Sequence, residues 1–171
     1  QYLEKQPDDI AAWKLLGDEY KRLGRWDNAL EAYRKILAID SRDIQARCDM
    51  ASVYLEQRKI DEAIREAGRA LAIDSENAYA NAMMGDAGQQ WAMREYERRY
   101  PGREVEKMMF DFKTLMKKLA DDYYEKAKRD PQWRTHAQNH INYLAQFFPQ
   151  AQDRFMWPRE KDHIIPFPPP Q

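Results

Sequence analysis

An internal repeat of 34 residues constrains the fold of this chain more than any other feature of its sequence. The pentapeptide Leu-Ala-Ile-Asp-Ser occupies residues 37–41 and recurs unchanged at residues 71–75. The same shift relates Tyr20 to Tyr54 and Ala29 to Ala63. A unit of this length cannot bury its own apolar face, so we expect successive units to stack and to share one continuous core.

Each unit has the sequence pattern of two helices. The first unit begins with apolar residues at three- and four-residue steps, which lie on one helical face. These residues are Ile10, Trp13, Leu16, Tyr20 and Leu23. Asp9, Asp43 and Asn77 precede the equivalent runs, where a short polar side chain caps the first turn of a helix. We place a further cap at Asp27, before the second helix of the first unit.

The turn between the two helices differs between the first two units. The first unit has Gly24 there, which tolerates the left-handed backbone of a helix end, whereas the second has Arg58. We therefore expect either backbone strain at Arg58 or a turn that is built differently.

These two units resemble the tetratricopeptide-repeat (TPR) family over residues 8–77. The positions that carry the resemblance are Trp13, Leu16, Gly17, Tyr20, Ala29 and Tyr33 in the first unit and Met50, Ala51, Tyr54, Ala63, Ala67 and Ala70 in the second. The resemblance implies an all-α, right-handed superhelix of antiparallel helix pairs, which binds other proteins along its concave side.

A third unit starts in register at Asn77 but its hairpin is longer. Strict register would place the equivalent of Ala29 at residue 97, whereas the matching spacing of small and aromatic residues starts 23 positions later, at Ala120 and Tyr124. We therefore interpret repeats at about 10–43 and 44–77, followed by a repeat at 78–131 with an insertion. Apolar residues at coiled-coil spacing favour closure of this elongated hairpin on itself, with a docking surface as the alternative.

Two further segments complete the predicted organisation. Residues 132–149 have the apolar spacing of one more helix, which we expect to cap the last repeat and so to complete a helical domain over residues 1–149. Residues 150–171 are rich in proline and aromatic residues, so we expect an extended tail held against its own solenoid or against a neighbouring molecule.

The resemblance also implies a partner-binding groove lined by the first helix of each pair. By alignment with the repeat, the residues expected to face it are Lys14, Asp18, Lys21, Arg22, Cys48, Asp49, Ser52, Glu56, Tyr79, Met83, Asp86 and Gln90. TPR domains that hold the C-terminal carboxylate of chaperones use two Lys, one Arg and two Asn in this groove. Lys14 alone matches that set, and Asp18 and Asp49 stand where Asn would be, so we expect no such role.

His136 and His140 are four residues apart on one helix, a spacing that can bind a metal ion. The glutamate of the HExxH motif is missing between them, and the sequence identifies no third ligand beyond His163 or a distant carboxylate. We therefore interpret the pair as partly exposed residues of a capping helix and expect no metal, no cofactor and no catalytic centre.

Composition narrows the class of partner. Lys and Arg number 28 and Asp and Glu 29, and this balance gives no general attraction to nucleic acid or to anionic membranes. Cys48 is the single cysteine, which excludes an internal disulfide, and no apolar run is long enough to span a bilayer.

The compartment is left open, with the cytoplasm favoured over the periplasm. Because the chain begins at Gln1, we expect a partial or processed chain, and further repeats before it are left open.

We therefore predict a non-enzymatic scaffold, adaptor or assembly factor that binds a peptide or helix of a protein partner. We expect it neither to bind nucleic acid nor to insert into a membrane. The alternative is a self-associating scaffold, a homo-oligomer formed through the long hairpin or the tail.

Overall fold

The computed structural model describes Leu3, residues 6–99 and residues 118–145, and within these residues all regular secondary structure is helical. The elements are α1 (Ile10–Arg22), α2 (Trp26–Ile39), α3 (Ile44–Glu56), α4 (Ile60–Ile73), α5 (Ala78–Arg99), a π-helical turn (Ala120–Tyr124) that leads into α6 (Glu125–Ala127), and α7 (Pro131–Ala145). The all-α prediction is confirmed. The handedness of the superhelix and the repeat boundaries stay predictions.

The predicted caps of the first helices are confirmed. Asp9, Asp43 and Asn77 each accept a hydrogen bond from the backbone N–H three residues further on, at 2.9, 2.7 and 3.1 Å. The predicted cap at Asp27 is wrong, because α2 already begins at Trp26 and Asp27 lies in its first turn. There its negative charge interacts favourably with the positive end of the helix dipole.

The two turns at Gly24 and Arg58 have the same backbone geometry. Their φ angles are +69° and +59°, and each is followed by a residue whose N–H donates to the carbonyl of a repeat-equivalent tyrosine, Tyr20 or Tyr54, at 2.8 and 2.9 Å. The expected strain is therefore located at Arg58, since the left-handed region costs an L-residue roughly 1–2 kcal/mol.

Consecutive helices pack against one another along the chain, and α3 also contacts α5. One cluster of buried side chains joins the first two helix pairs, and a second extends from α3 to α7; Tyr54 packs against both. α3 is therefore enclosed by its neighbours, whereas α1 keeps an exposed face.

In both the first and the third helix pair, a glycine of one helix packs against a tyrosine ring that follows it in the same pair. Tyr33 and Tyr124 are fully buried, and a Cβ added to Gly17 or Gly85 would lie 2.6 or 2.8 Å from the respective ring. Tyr124 thus occupies the place in the third pair that Tyr33 has in the first. This is the relation that the 23-residue shift predicts.

α7 packs against α5 and against the π-helical turn. Its Ala137 is fully buried, and the ring of Trp133 stacks on that of Tyr79 with centroids 4.3 Å apart. The lengthened part of the predicted hairpin, the last four residues of the predicted capping helix (146–149) and the predicted tail (150–171) include residues 100–117 and 146–171, which lie outside the described residues. Among the described helices, none is long and apolar enough to cross a membrane.

Candidate functional site

A cavity of about 720 Å³ is lined by the first helices of the three pairs and by one face of α7. Its volume falls within the range of about 300–1,000 Å³ that is typical of ligand pockets. The lining residues are Lys21, Ser52, Leu55, Glu56, Arg58, Tyr79, Met83, Asp86, Gln89, Gln90, Trp133, His136 and His140. The expected surface of first helices is therefore present, but α7 supplies a wall that the sequence analysis assigned only to capping.

The residues predicted to face a groove separate into two groups. Those that line the cavity are Lys21, Ser52, Glu56, Tyr79, Met83, Asp86 and Gln90. Lys14, Asp18, Arg22, Cys48 and Asp49 do not line it. That any of these residues contacts a partner stays a prediction.

Cys48 is a correction to the predicted groove. Its side chain is fully buried in the core, because α3 is packed on several sides. Burial raises the pKa of the thiol well above its usual value. Cys48 therefore has a packing role and is not available to a ligand.

Asp49 lies at the junction of all three helix pairs and is nearly buried. It accepts hydrogen bonds from the Lys14 ammonium at 2.9 Å and from the Tyr79 hydroxyl at 2.7 Å. Burial, followed by the neighbouring Asp49 charge, raises the pKa of Tyr79. Lys14 is the one residue that matched the carboxylate-binding set, and here it neutralises Asp49 instead.

Asp86 is the centre of a second polar cluster, at the α7 end of the cavity. It accepts a hydrogen bond from the Tyr124 hydroxyl at 2.8 Å, and its two carboxylate oxygens lie 3.1 and 3.2 Å from His136 Nε2. His140 Nε2 is 3.7 Å from the same carboxylate. The hydrogen bond with Asp86 raises the pKa of His136, whereas burial lowers the pKa of His140.

From the sequence, the two histidines were paired and a distant carboxylate was left open as a third ligand, but Asp86 was assigned to the groove and was not joined to them. The repeat did contain a signal for Asp86, because Asp86 lies two repeats after Asp18. In the first pair Asp18 accepts a hydrogen bond of 2.8 Å from the Tyr33 hydroxyl. What the sequence did not give was the placement of α7, which brings histidines 50 and 54 positions further along the chain onto Asp86.

Gln90 gives the cavity an unused acceptor. Its side-chain oxygen is buried and receives no hydrogen bond from any described residue. A buried acceptor without a donor is costly, and almost all such groups in proteins are paired. A rotation of the Gln90 side chain towards the cavity would offer this acceptor to a donor group of a ligand, and Met83 and the stacked pair Tyr79 and Trp133 line the same cavity.

The comparisons with known proteins agree with this fold. A family model described as a tetratricopeptide repeat matches residues 20–87. Residues 20–87 thus match the TPR family, and TPR domains are in general protein-interaction scaffolds. Similar solved structures include the Arabidopsis OM64 TPR domain, with a TM-score of 0.57, 19% identity and coverage of 80% of this chain and 94% of that one. The TPR2B-domain:pHsp70 complex of yeast Sti1 gives a TM-score of 0.58 at 18% identity, covering 80% of this chain and 96% of that one.

The curated relatives are matched over shorter segments. A cytochrome c-type biogenesis protein, CycH of Bradyrhizobium diazoefficiens, is 32% identical over 93 residues, which are 53% of this chain and 25% of that protein. A TPR repeat-containing protein of Methanocaldococcus jannaschii is 41% identical over 44 residues, which are 26% of this chain and 13% of that protein. The chain thus spans a quarter or less of the length of these relatives.

Proposed function

We propose that this chain is a non-enzymatic adaptor or assembly factor, and that it binds a segment of a partner polypeptide in the cavity between α1, α3, α5 and α7. The observation that carries the proposal is the cavity itself, which joins surfaces from three successive helix pairs. A surface of that kind recognises an extended chain or a helix, because each pair contacts a different part of the ligand.

The chemistry of the lining suits a polypeptide. The unused Gln90 oxygen accepts one N–H group, such as a peptide N–H, while Tyr79, Met83 and Trp133 offer apolar contact to one or two side chains. Lys21 and Arg58 are positive and Glu56 is negative, so the lining carries charges of both signs. We therefore expect an internal segment of mixed charge rather than a run of like charges.

A free C-terminus is not required in this mode of binding. Lys14 is engaged by Asp49, and Asp86 places a negative charge on the wall of the cavity. A terminal carboxylate beside Asp86 would meet repulsion, whereas Lys21 and Arg58 elsewhere in the lining can pair with acidic side chains of an internal segment. The similarity to a protein of cytochrome c-type biogenesis supports the assembly role, in which the ligand is a chain on its way into a larger complex.

Peptides selected from a displayed random library test this proposal, with binding measured by fluorescence anisotropy. Ser52→Trp should weaken binding about tenfold or more, since it fills the cavity. The matched control Glu31→Trp adds the same side chain to an exposed position of α2 and should leave affinity unchanged. Gln90→Met should weaken binding roughly 2- to 10-fold, the net worth of one hydrogen bond.

The same peptides with amidated C-termini should bind equally well. The proposal is overturned if Ser52→Trp and Glu31→Trp have the same effect in folded protein, as judged by circular dichroism. Selection of peptides whose binding depends on a free terminal carboxylate would contradict the internal-segment mode.

A further inference from the structure

Three side chains of metal-ligating type converge at the α7 end of the cavity. Asp86 comes from α5, and His136 and His140 come from successive turns of α7. One potential ligand atom from each residue lies within 4.8 Å of the others. We propose that Asp86, His136 and His140 form a binding site for a divalent transition-metal ion, with Zn²⁺ as the reference ion.

The distances between the ligand atoms suit such an ion. Asp86 Oδ2 is 3.1 Å from His136 Nε2, and Asp86 Oδ1 is 3.7 Å from His140 Nε2. In a tetrahedral zinc site with bonds of about 2.0–2.1 Å, neighbouring donor atoms lie roughly 3.3 Å apart. Small side-chain rotations therefore bring these atoms to metal-binding distance without a backbone change.

The hydrogen bonds of His140 orient its ring for coordination. Its Nδ1 lies 3.0 Å from the Gln89 side-chain oxygen and 3.2 Å from the Tyr124 hydroxyl oxygen. Because Tyr124 donates its own proton to Asp86, both neighbours accept from His140, which assigns the imidazole proton to Nδ1. The lone pair is then on Nε2, the atom that faces Asp86. Metal-ligating histidines in proteins commonly have such a partner on the opposite nitrogen.

Tyr124, whose hydroxyl contacts this cluster, is fully buried and ends a π-helical turn, a rare conformation that is frequently found at functional sites. An ion pair between His136 and Asp86 alone explains the contact of those two residues. It does not explain why His140, with its Nδ1 already satisfied, also directs Nε2 towards the same carboxylate.

The donor set determines the class of ion. Two imidazoles and one carboxylate suit Zn²⁺ and other late first-row divalent ions, whereas Ca²⁺ and Mg²⁺ prefer oxygen donors alone. All three residues line the cavity, so further coordination positions face the space where a ligand binds. The metal site is independent of the proposed peptide binding, since its test requires no partner.

Metal binding is tested on the full chain after removal of metals with a chelator, by calorimetric titration with Zn²⁺. We expect one ion per chain, and Asp86→Asn, His136→Gln and His140→Gln should each weaken binding about 10-fold or more. Gln89→Leu should weaken it about 10-fold, as is typical when the hydrogen-bond partner of a ligating histidine is removed. His163→Gln is the matched control, since His163 is the third histidine of the chain and is not one of the proposed ligands.

A second measurement does not depend on the folding of variants. In long-range ¹H–¹⁵N spectra of the unmodified chain, Zn²⁺ should shift the Nε2 resonances of His136 and His140 and leave that of His163 unchanged. The proposal is overturned by binding well below one ion per chain. It is equally overturned if His163→Gln abolishes binding while the cluster variants keep it, or if the imidazole resonances of the cluster do not respond.

Discussion

Two tyrosines at equivalent places in the first and third helix pairs should differ in what their hydroxyl groups contribute to stability. Tyr33 and Tyr124 are both fully buried, and each donates a hydrogen bond of 2.8 Å to an aspartate. The acceptors differ, because the side chain of Asp18 is 47% exposed whereas that of Asp86 is 14% exposed. Replacement of either tyrosine by phenylalanine keeps the ring and removes the hydroxyl, which in Tyr124 also lies 3.2 Å from His140 Nδ1 and 3.4 Å from the Gln89 side-chain oxygen.

The expected magnitudes follow from what replaces the lost donor. Water can reach Asp18, so Tyr33→Phe should lower the free energy of unfolding by about 0.5–1 kcal/mol. Asp86 is shielded and keeps the His136 contact but loses a charge-assisted bond, so Tyr124→Phe should cost about 1.5–3 kcal/mol. For a chain of 171 residues each kcal/mol corresponds to a fall in Tm of roughly 2–4 °C.

Urea unfolding measures this difference, with tryptophan fluorescence and far-UV circular dichroism recorded together and a chelator present to exclude metal effects. Coincident transitions by the two probes are required before the free energies are compared. Equal losses for the two variants, or a greater loss for Tyr33→Phe, would refute the argument that burial of the acceptor sets the energy.

Four further substitutions test three other features of the fold, each by urea unfolding. Lys14→Met leaves the buried Asp49 carboxylate without its cation and should destabilise by about 1–3 kcal/mol, with no change as the contradicting result. Both Arg58 and Gly24 have positive φ, a conformation that glycine adopts more easily than other residues. Arg58→Gly should therefore raise the free energy of unfolding by about 0.5–1 kcal/mol, and Gly24→Ala should lower it by about 1 kcal/mol. Effects of the same sign would show that backbone conformation is not the cause. Gly85→Ala should cost about 1–3 kcal/mol, since the new methyl group meets a buried tyrosine ring, whereas a stabilised variant would mean that this ring moves aside freely.

The features that the sequence predicted correctly are local or periodic. Helix positions follow from apolar spacing, and the caps at Asp9, Asp43 and Asn77 follow from side-chain chemistry within three residues. The 34-residue register also transfers packing from one pair to another, which is why the equivalence of Tyr124 and Tyr33 was visible across an insertion.

The features that the sequence missed depend on how distant elements are oriented. Cys48 was placed in the groove by alignment, but α3 is enclosed on sides that the alignment does not show. The meeting of Asp86 with His136 joins residues 50 positions apart and depends on how α7 crosses the last pair. No repeat pattern extends to α7, so its contribution to the cavity could not be derived from the period.

Because α7 is a wall of the cavity, ligand binding is coupled to local opening of this helix. Single elements of a protein open locally at a lower free energy than global unfolding requires. A ligand that touches Trp133 or His136 binds the closed form alone and therefore makes opening rarer by mass action. Amide hydrogen exchange along α7 is consequently a built-in reporter of occupancy: it slows when the cavity is filled, whatever the chemical nature of the ligand.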